Sequence, residues 1–311
     1  MQDTIHEDER FRWLAERCEW IEESNDLCFD FGPVIVLCLD ERLDHINRFL
    51  DINGIRGHVS ILRAFRPESL DLDELADLGL IQKENADGVG QPLSHREICC
   101  ALGHIAMYLK SERSEHEVTV LLEDDLVIKN QYEDITTLMG SATAFPWDML
   151  YLSFAYADRK NAVQISEELL RIPGSLTTNA YAIRESARRN ILESCFPIRK
   201  AADIFLRDLS VQRNLEVLAS LTPCFDQDRS FFESSIEANR AISPPRWKPT
   251  LPQKILSRAF SLAQGTGGLG YDEGIYRIDR FRSGDIPEAG KSSPLLRSWS
   301  ILARLFSDES P

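Results

Sequence analysis

Val118-Thr-Val-Leu-Leu-Glu-Asp-Asp125 is a mainly apolar run that ends abruptly in three consecutive carboxylates. A continuous apolar run of this length is typical of a strand buried on both faces of an α/β sheet. Open α/β sheets bind ligands outside the carboxyl ends of their strands. Carboxylate oxygens suit hard divalent cations, which also bridge phosphates. The stretch therefore predicts a strand that ends in a Mg²⁺ or Mn²⁺ site for a diphosphate, and a solvated acidic turn is the alternative.

The three carboxylates are expected to have different roles. An extended chain places alternate side chains on the same side, so Glu123 and Asp125 should point together and Asp124 away from them. Asp124 is then expected to support the site from behind or to cap the N-terminus of a helix.

Patterns on both sides of this stretch predict the rest of the fold. Apolar runs predict strands at 34–39, 58–65, 149–152 and 178–183. Helical spacing predicts helices at 43–52, 69–78, 94–109 and 185–195, and Ser94 and Glu97 have the spacing of a capping box. Alternating strands and helices favour an α/β sandwich with a mostly parallel central sheet.

The two ends of the chain differ from this central pattern. Thr4 and Glu7 have capping-box spacing and apolar residues follow at helical spacing, which predicts a helix over 4–24. Prolines after residue 243 mark a boundary. We therefore predict an N-terminal amphipathic helix within 1–30, an α/β domain at 31–243, and a basic tail with short helices, interrupted by Pro and Gly, at 244–311.

Charge restricts the partners. The net charge is −15, so general nucleic-acid binding is not expected, and a bound cation would have to supply positive charge for an anionic ligand. Residues 246–311 nevertheless carry ten Lys/Arg against seven Asp/Glu. The tail is expected either to contact an anionic membrane surface, through a face with Leu295, Trp299, Leu302 and Phe306, or to pack on the α/β domain.

Cysteine usage and hydropathy predict a cytoplasmic protein, with peripheral contact at the inner membrane surface if the tail binds lipid. The seven cysteines form no C-x-x-C pair and their number is odd, which indicates reduced thiols. The N-terminus is acidic and polar, unlike a signal peptide. The longest apolar stretch, 29–39, is too short to span a bilayer.

Glu97-Ile-Cys-Cys-Ala-Leu-Gly-His104, followed by Leu121-Leu-Glu-Asp-Asp125, resembles glycosyltransferase family 25. That family includes bacterial lipooligosaccharide galactosyltransferases and the collagen galactosyltransferases. Further segments resemble the family in the same order: Arg63-Ala-Phe65, Pro146-Trp-Asp-Met-Leu-Tyr-Leu152, Thr178-Asn-Ala-Tyr-Ala-Ile183, Ala202-Asp-Ile-Phe-Leu206 and Leu221-Thr-Pro223 through Gln227 to Ser235-Ile236. The resemblance spans residues 34–240.

The resemblance implies a GT-A-like nucleotide-sugar-binding sandwich and a metal-dependent, inverting transfer of a hexose. The expected partners are a sugar-nucleotide donor, UDP-galactose first, and the hydroxyl of a glycan or lipid-linked glycan; the expected cofactor is Mn²⁺ or Mg²⁺. Cys99 and Gly103 depart from the family, which usually has Gly and Ser there. Two other functions therefore stay open: a non-catalytic nucleotide-sugar-binding module, and a metal-dependent phosphohydrolase.

The resemblance also implies roles for single residues. Metal binding falls to Asp125 and Glu123, general-base catalysis to Asp203, donor binding to Glu123, Asp124, His104, Glu97 and Ala64, and acceptor binding to Asn179 and Tyr181. Three structural alternatives remain: a helix N-cap for Asp203, an internally hydrogen-bonded helix residue for His104, and core packing for Tyr181. No histidine follows His116, so a late metal ligand must be Asp226, Gln227, Asp228, Glu233 or water.

Overall fold

A computed structural model describes residues 7–24, 32–52, 55, 58–82, 93–128, 132–153 and 162–227. The chain divides into two compact units, Met1–Ser243 and Pro244–Pro311, and every described residue belongs to the first. The predicted basic tail, including the face from Leu295 to Phe306, lies outside the described residues.

The described residues form a mixed α/β fold. Its strands are β1 (Trp20–Ser24), β2 (Val34–Cys38), β3 (His58–Arg63), β4 (Val118–Glu123), β5 (Leu126–Ile128), β6 (Met149–Tyr151), β7 (Val163–Gln164), β8 (Leu169–Arg171), β9 (Ala180–Arg184), β10 (Val217–Ser220) and β11 (Phe225–Gln227). Its helices are α1 (Glu9–Arg17), α2 (Leu43–Ile52), α3 (Leu72–Asp77), α4 (His95–Glu112), α5 (Tyr132–Ala142), α6 (Glu185–Ser194) and α7 (Ala202–Arg213), with 3₁₀ turns at Asp40–Arg42 and Pro67–Ser69.

Within the described ranges, nine strands form one sheet in the order β1-β3-β2-β4-β9-β6-β10-β8-β7. Strands β3, β2 and β4 are mutually parallel, β6 is parallel to β10, and β9 runs antiparallel between β4 and β6. The predicted α/β class is confirmed, and the sheet is mixed: its central strand β9 is antiparallel to both neighbours, and antiparallel pairs also occur toward both edges. Antiparallel neighbours need no crossover helix, and between β6 and β9 the described residues contain only the short strands β7 and β8.

The central strands are mainly apolar because helices cover both faces of the sheet. All five residues of β2 are buried. Ile35 and Leu37 pack into a hydrophobic cluster with α1, α3, α4, α6 and α7. Val34 and Val36 pack on the opposite face, with α2 and α5. Alternate residues of one strand thus enter two different cores, which explains the absence of a polar face in the sequence.

The predicted N-terminal helix is shorter than expected. Helix α1 starts after Asp8, whose carboxylate accepts a hydrogen bond from the Arg10 amide, and ends at Arg17. The prediction of helix over 20–24 is wrong, because this segment is strand β1, paired antiparallel with β3. Pairing with β3 satisfies backbone groups that would otherwise remain at an open sheet edge. Thr4 lies outside the described residues.

Helix α4 places side chains from the helical layer at the carboxyl end of the central strands. The predicted capping box at its start is present, since the Ser94 hydroxyl accepts from the Glu97 amide while the Glu97 carboxylate accepts from the Ser94 amide. Gly103 lets the helix lie close to β2, because a Cβ there would come 2.7 Å from Leu37 Cδ1. This close approach is the structural reason for a glycine inside the helix.

Two further observations concern the described residues alone. The six cysteines among them are free thiols. None of their helices is both long enough and apolar enough to cross a membrane.

Candidate active site at the carboxyl edge of the sheet

A cleft of about 510 Å³ opens where β2, β3 and β4 end, a volume within the usual range for small-molecule sites. Its walls come from the ends of these strands, from the start of α4 and from β11. The lining residues are Leu37, Leu39, Glu41, Arg42, Ala64, Phe65, Arg66, Pro67, Glu68, Arg96, Cys99, Cys100, Glu123, Asp124, Asp125 and Gln227. The cleft therefore lies at the edge where open α/β sheets bind their ligands.

Asp124 ties the end of β4 to the end of β2. Its two oxygens accept hydrogen bonds from the Leu39 amide (2.6 Å) and from Arg42 Nη1 (2.7 Å), and both ionic side chains are nearly buried. Burial raises the pKa of Asp124, and the Leu39 amide and the Arg42 charge oppose that rise. Asp124 is therefore a structural clamp, which excludes both the solvated-turn and the helix N-cap interpretations for this residue.

Glu123 is held at the cleft as an anion. Its Oε1 accepts hydrogen bonds from Thr178 Oγ1 (2.6 Å) and from His104 Nε2 (3.1 Å). Burial opposes ionisation, but the hydrogen bonds of His104 and Thr178 and the charges of His104 and Arg42 lower the pKa of Glu123 below its usual value. With a side chain 20% exposed, Glu123 is fixed by the protein and still reaches the cleft.

A buried chain of hydrogen bonds lies behind Glu123. His104 Nδ1 lies 3.0 Å from Tyr181 Oη, and Tyr181 Oη lies 2.6 Å from Tyr108 Oη. His104 is 1% exposed and Tyr181 is fully buried. His104 is therefore an internally hydrogen-bonded helix residue, as its structural alternative predicted, and it reaches the cleft only through its contact with Glu123.

The structure favours core positions for the two predicted acceptor residues. Tyr181 is fully buried, as its core-packing alternative required, and its ring lies 5.8 Å from that of Tyr151. Asn179 is 2% exposed and donates a hydrogen bond to Ser153 Oγ (2.9 Å). Neither side chain offers a surface on which an acceptor could rest directly.

Asp125 differs from its two acidic neighbours. In the described part of the chain, its Oδ1 is buried without a hydrogen-bond partner, although the residue lines the cleft. Burial, with the nearby charges of Glu123 and Asp124, raises its pKa to about 7. An unpartnered carboxylate oxygen on a residue that lines the cleft has the chemistry of a ligand for a hard divalent cation, so the residues present fit Mg²⁺ or Mn²⁺.

The short ribbon of β5 and β11 brings one late residue to the same place. Gln227 pairs with Leu126, the residue after Asp125, and lines the cleft. Asp226, its neighbour on the strand, is exposed. Asp228 and Glu233 lie outside the described residues. Among the two described candidates for a late ligand, the strand register selects Gln227.

Asp203 lies in the first turn of α7. The N-cap position belongs to Ala201, so the N-cap alternative for Asp203 is wrong. Its Oδ1 accepts a hydrogen bond from the Ile204 amide (2.7 Å). Burial raises the pKa of Asp203, and the charge of Glu123 adds to the rise. Asp203 is not among the cleft-lining residues, but Glu123 lies close enough for its charge to act on Asp203, and a raised pKa is a property that a general base can use.

Of the remaining residues predicted to bind the donor, one has a structural role and one lines the cleft. Glu97 is 4% exposed and holds the capping box of α4, and it is not among the cleft-lining residues described above. Ala64 does line the cleft, and its amide donates to the Cys38 carbonyl (2.8 Å).

Sequence reasoning missed three cleft arginines, Arg42, Arg66 and Arg96. Arg42 pairs with Asp124 (2.7 Å), and Arg66 pairs with Glu41 (2.6 Å) and Asp40 (3.4 Å), so two of the three arginines already balance carboxylates. These arginines share the lining with five carboxylates, so the cleft is acidic overall, and the position of Arg66 just after the Arg63-Ala-Phe65 segment was the available signal.

The fold and site define an enzyme-like α/β domain with an acidic, arginine-lined cleft. Residues 34–206 match the model of glycosyltransferase family 25, described as an LPS biosynthesis protein. This match covers more than half of the chain, and the protein belongs to glycosyltransferase family 25. It is accordingly a glycosyltransferase, whose function implies a sugar-nucleotide donor and a glycan acceptor.

Comparisons with other proteins add little to this assignment. No curated protein matches the chain. The crystal structure of A197 from STIV shares 13% identity, over 60% of this chain and 81% of its own, with a TM-score of 0.33. The inositol-1-phosphate CTP transferase from T. maritima shares 12% identity, over 68% of this chain and 78% of its own, with a TM-score of 0.29. These scores support no inference about function.

Proposed function

We propose that this protein is a metal-dependent inverting glycosyltransferase with a GT-A-like fold. It transfers a hexose, galactose from UDP-galactose as the first choice, to a hydroxyl of a glycan or lipid-linked glycan. One observation carries the proposal: the partnerless Oδ1 of Asp125 at an arginine-lined cleft on the carboxyl edge of the sheet.

The donor end of the proposed site rests on Asp125. This carboxylate would hold Mn²⁺ or Mg²⁺ together with Gln227 and Glu123, whose Oε2 makes no hydrogen bond to the described residues. The cation would neutralise charge that develops on the leaving nucleoside diphosphate. Arg66 and Arg96 line the same cleft, and Arg66, which pairs with Glu41 and Asp40, could contact phosphate oxygens by giving up one of these partners.

Asp203 is proposed as the general base. Inversion in a single displacement requires one group to take the proton of the acceptor hydroxyl as the bond to the sugar forms. The raised pKa of Asp203 makes its carboxylate a better proton acceptor than an exposed aspartate. The buried Asn179 and Tyr181 then act behind the acceptor side rather than by direct contact.

The test is a screen of UDP-, GDP- and CMP-sugars with Mn²⁺, measured by nucleotide release with and without a glycan acceptor. We expect acceptor-dependent release with the wild type and with Asp77→Asn, a control on an exposed aspartate of α3. We expect release to be lost in Asp125→Asn and in chelator.

Other outcomes would establish the alternative functions. Binding of a sugar nucleotide without turnover would identify a non-catalytic module, for which the Cys99 side chain in the cleft is the motivating observation. Hydrolysis of simple phosphate esters by the wild type would identify a phosphohydrolase. Full activity of Asp125→Asn at limiting Mn²⁺ would contradict the metal assignment.

A further inference from the structure

Three side chains of different chemistry meet beside the donor cleft. Cys100 and His104 lie one turn apart on α4, and Glu123 ends β4. Each residue offers one possible ligand atom, which is a sulfur, a ring nitrogen or a carboxylate oxygen. These three atoms lie within 4.8 Å of one another. The proposed transfer makes no use of the Cys100 thiol.

The spacing fits a small tetrahedral cation. Zinc binds sulfur at about 2.3 Å, and nitrogen and oxygen at about 2.0–2.2 Å, which places the atoms of a tetrahedral N,O pair about 3.3 Å apart. His104 Nε2 and Glu123 Oε1 are 3.1 Å apart, so a cation between them would require little movement. The thiol makes the set softer than the all-oxygen ligands that Mg²⁺ and Mn²⁺ prefer.

The surroundings already orient these groups as in a metal site. A metal-binding histidine donates its other ring N–H to a fixed partner, and ligating carboxylates accept hydrogen bonds of their own. His104 Nδ1 lies 3.0 Å from Tyr181 Oη, which can accept the Nδ1 proton; a cation would then displace the Nε2 proton that Glu123 accepts in the metal-free protein and bind the Nε2 lone pair. Thr178 Oγ1 donates to Glu123 Oε1 at 2.6 Å and fixes the carboxylate.

An entry path also exists. Cys100 and Glu123 line the cleft, whereas His104 is 1% exposed. A cation can therefore enter from the cleft and bind the three side chains. Its fourth coordination position would then stay open toward the cleft, as in zinc sites that have three protein ligands.

We propose that Cys100, His104 and Glu123 form a site for a thiophilic divalent cation, with Zn²⁺ as the natural occupant. The site takes two of its three ligands from α4, unlike the oxygen-ligand site at Asp125, and its existence does not depend on glycosyl transfer. One consequence does rest on the proposed function: Glu123 belongs to both sites, so bound Zn²⁺ would compete with donor binding.

Co²⁺ is the spectroscopic probe, because thiolate ligation gives a charge-transfer band in the near ultraviolet that carboxylate and imidazole ligation do not give. The matched control is Cys99→Ser, because Cys99 is the adjacent thiol of α4, also lines the cleft and lies outside the three-residue cluster. Full-length wild type and Cys99→Ser should both show the band at one Co²⁺ per chain, and Zn²⁺ should abolish it. Cys100→Ser should lose the band and bind Zn²⁺ at least about tenfold more weakly.

Tyr181→Phe provides a second test that leaves all three ligands in place. It removes the partner of His104 Nδ1 and should weaken Zn²⁺ binding by about 10- to 100-fold, the usual effect of losing such a partner. Absence of the band in the wild type, or its persistence in Cys100→Ser, would overturn the proposal. Asp125→Asn should keep the band while losing transfer, which separates failure of this site from failure of the proposed enzyme.

Discussion

Replacing Asp125 with asparagine should make the metal-free protein more stable while abolishing its transfer activity. Asparagine has nearly the same shape as aspartate but no charge. In the folded protein, the Asp125 charge is buried beside Glu123 and Asp124, and its pKa is raised from 3.8 to about 7. Removing the charge therefore relieves a repulsion that exists only in the folded state.

The pH dependence of this effect follows from the direction of the shift. A folded-state pKa above the unfolded one means that the folded protein binds the proton more tightly, so wild-type stability falls as pH rises from about 4 to about 7. The shift from 3.8 to about 7 sets a ceiling of about 4 kcal/mol on the penalty above pH 7. Because Asp125 is partly exposed, solvent screening reduces the expected gain of Asp125→Asn to about 1–3 kcal/mol.

Urea unfolding in EDTA measures this difference, with Asp77→Asn as the control for loss of an exposed charge. At pH 8 the Asp125→Asn variant should unfold at higher urea than the wild type, and at pH 5 the gap should shrink because wild-type Asp125 is then mostly protonated. Saturating Mn²⁺ should stabilise the wild type and leave the variant unchanged. A less stable variant at pH 8, or an equal gap at both pH values, would refute the reasoning.

Three further predictions concern other parts of the chain. Asp203→Asn should lower kcat by about 10² or more with little change in donor KM, since asparagine cannot take a proton but can still accept from the Ile204 amide; normal steady-state turnover would contradict the assignment. Gly103→Ala should displace the Leu37 side chain toward the cleft and so raise the KM for the donor. The free energy of unfolding should stay within about 1 kcal/mol of the wild-type value, because the gain in helix propensity offsets the clash. An unchanged donor KM would show that the Leu37 side chain moves elsewhere. If the basic tail contacts lipid, full-length protein should co-sediment with anionic vesicles in a salt-sensitive manner and a chain ending at Pro244 should not; equal partition of the two would assign the tail a structural role.

Local sequence patterns predicted the elements that build the site. The mainly apolar sequences of β2 and β4 follow from burial on both faces of the sheet, and Ser94 with Glu97 marked the start of α4. These signals are local because a strand's apolarity and a helix cap depend on residues close together in the chain.

Long-range pairing decided what the local patterns could not. Ile21 continues the helical spacing of Phe11, Leu14 and Cys18, but an available edge on β3 makes the segment 20–24 a strand. The hydrogen bonds from His104 to Tyr181 and from Tyr181 to Tyr108 join β9 to α4 across more than 70 residues. Gln227 reaches the cleft through the register of β11 against β5, which composition alone does not specify.

The three roles of the acidic run illustrate how tertiary contacts assign chemistry to similar residues. Adjacent carboxylates repel one another, so each must be stabilised by protein groups, protonated or paired with a bound cation. Arg42 and a backbone amide satisfy Asp124, and His104 with Thr178 satisfies Glu123. Both solutions use partners distant in sequence, which is why alternation along the strand was insufficient to predict them. Within the described residues Asp125 Oδ1 receives no hydrogen bond, so a cation bound there would relieve a penalty that the fold itself imposes. The same uncompensated charge that should destabilise the metal-free protein is therefore the physical basis for expecting cation affinity at Asp125.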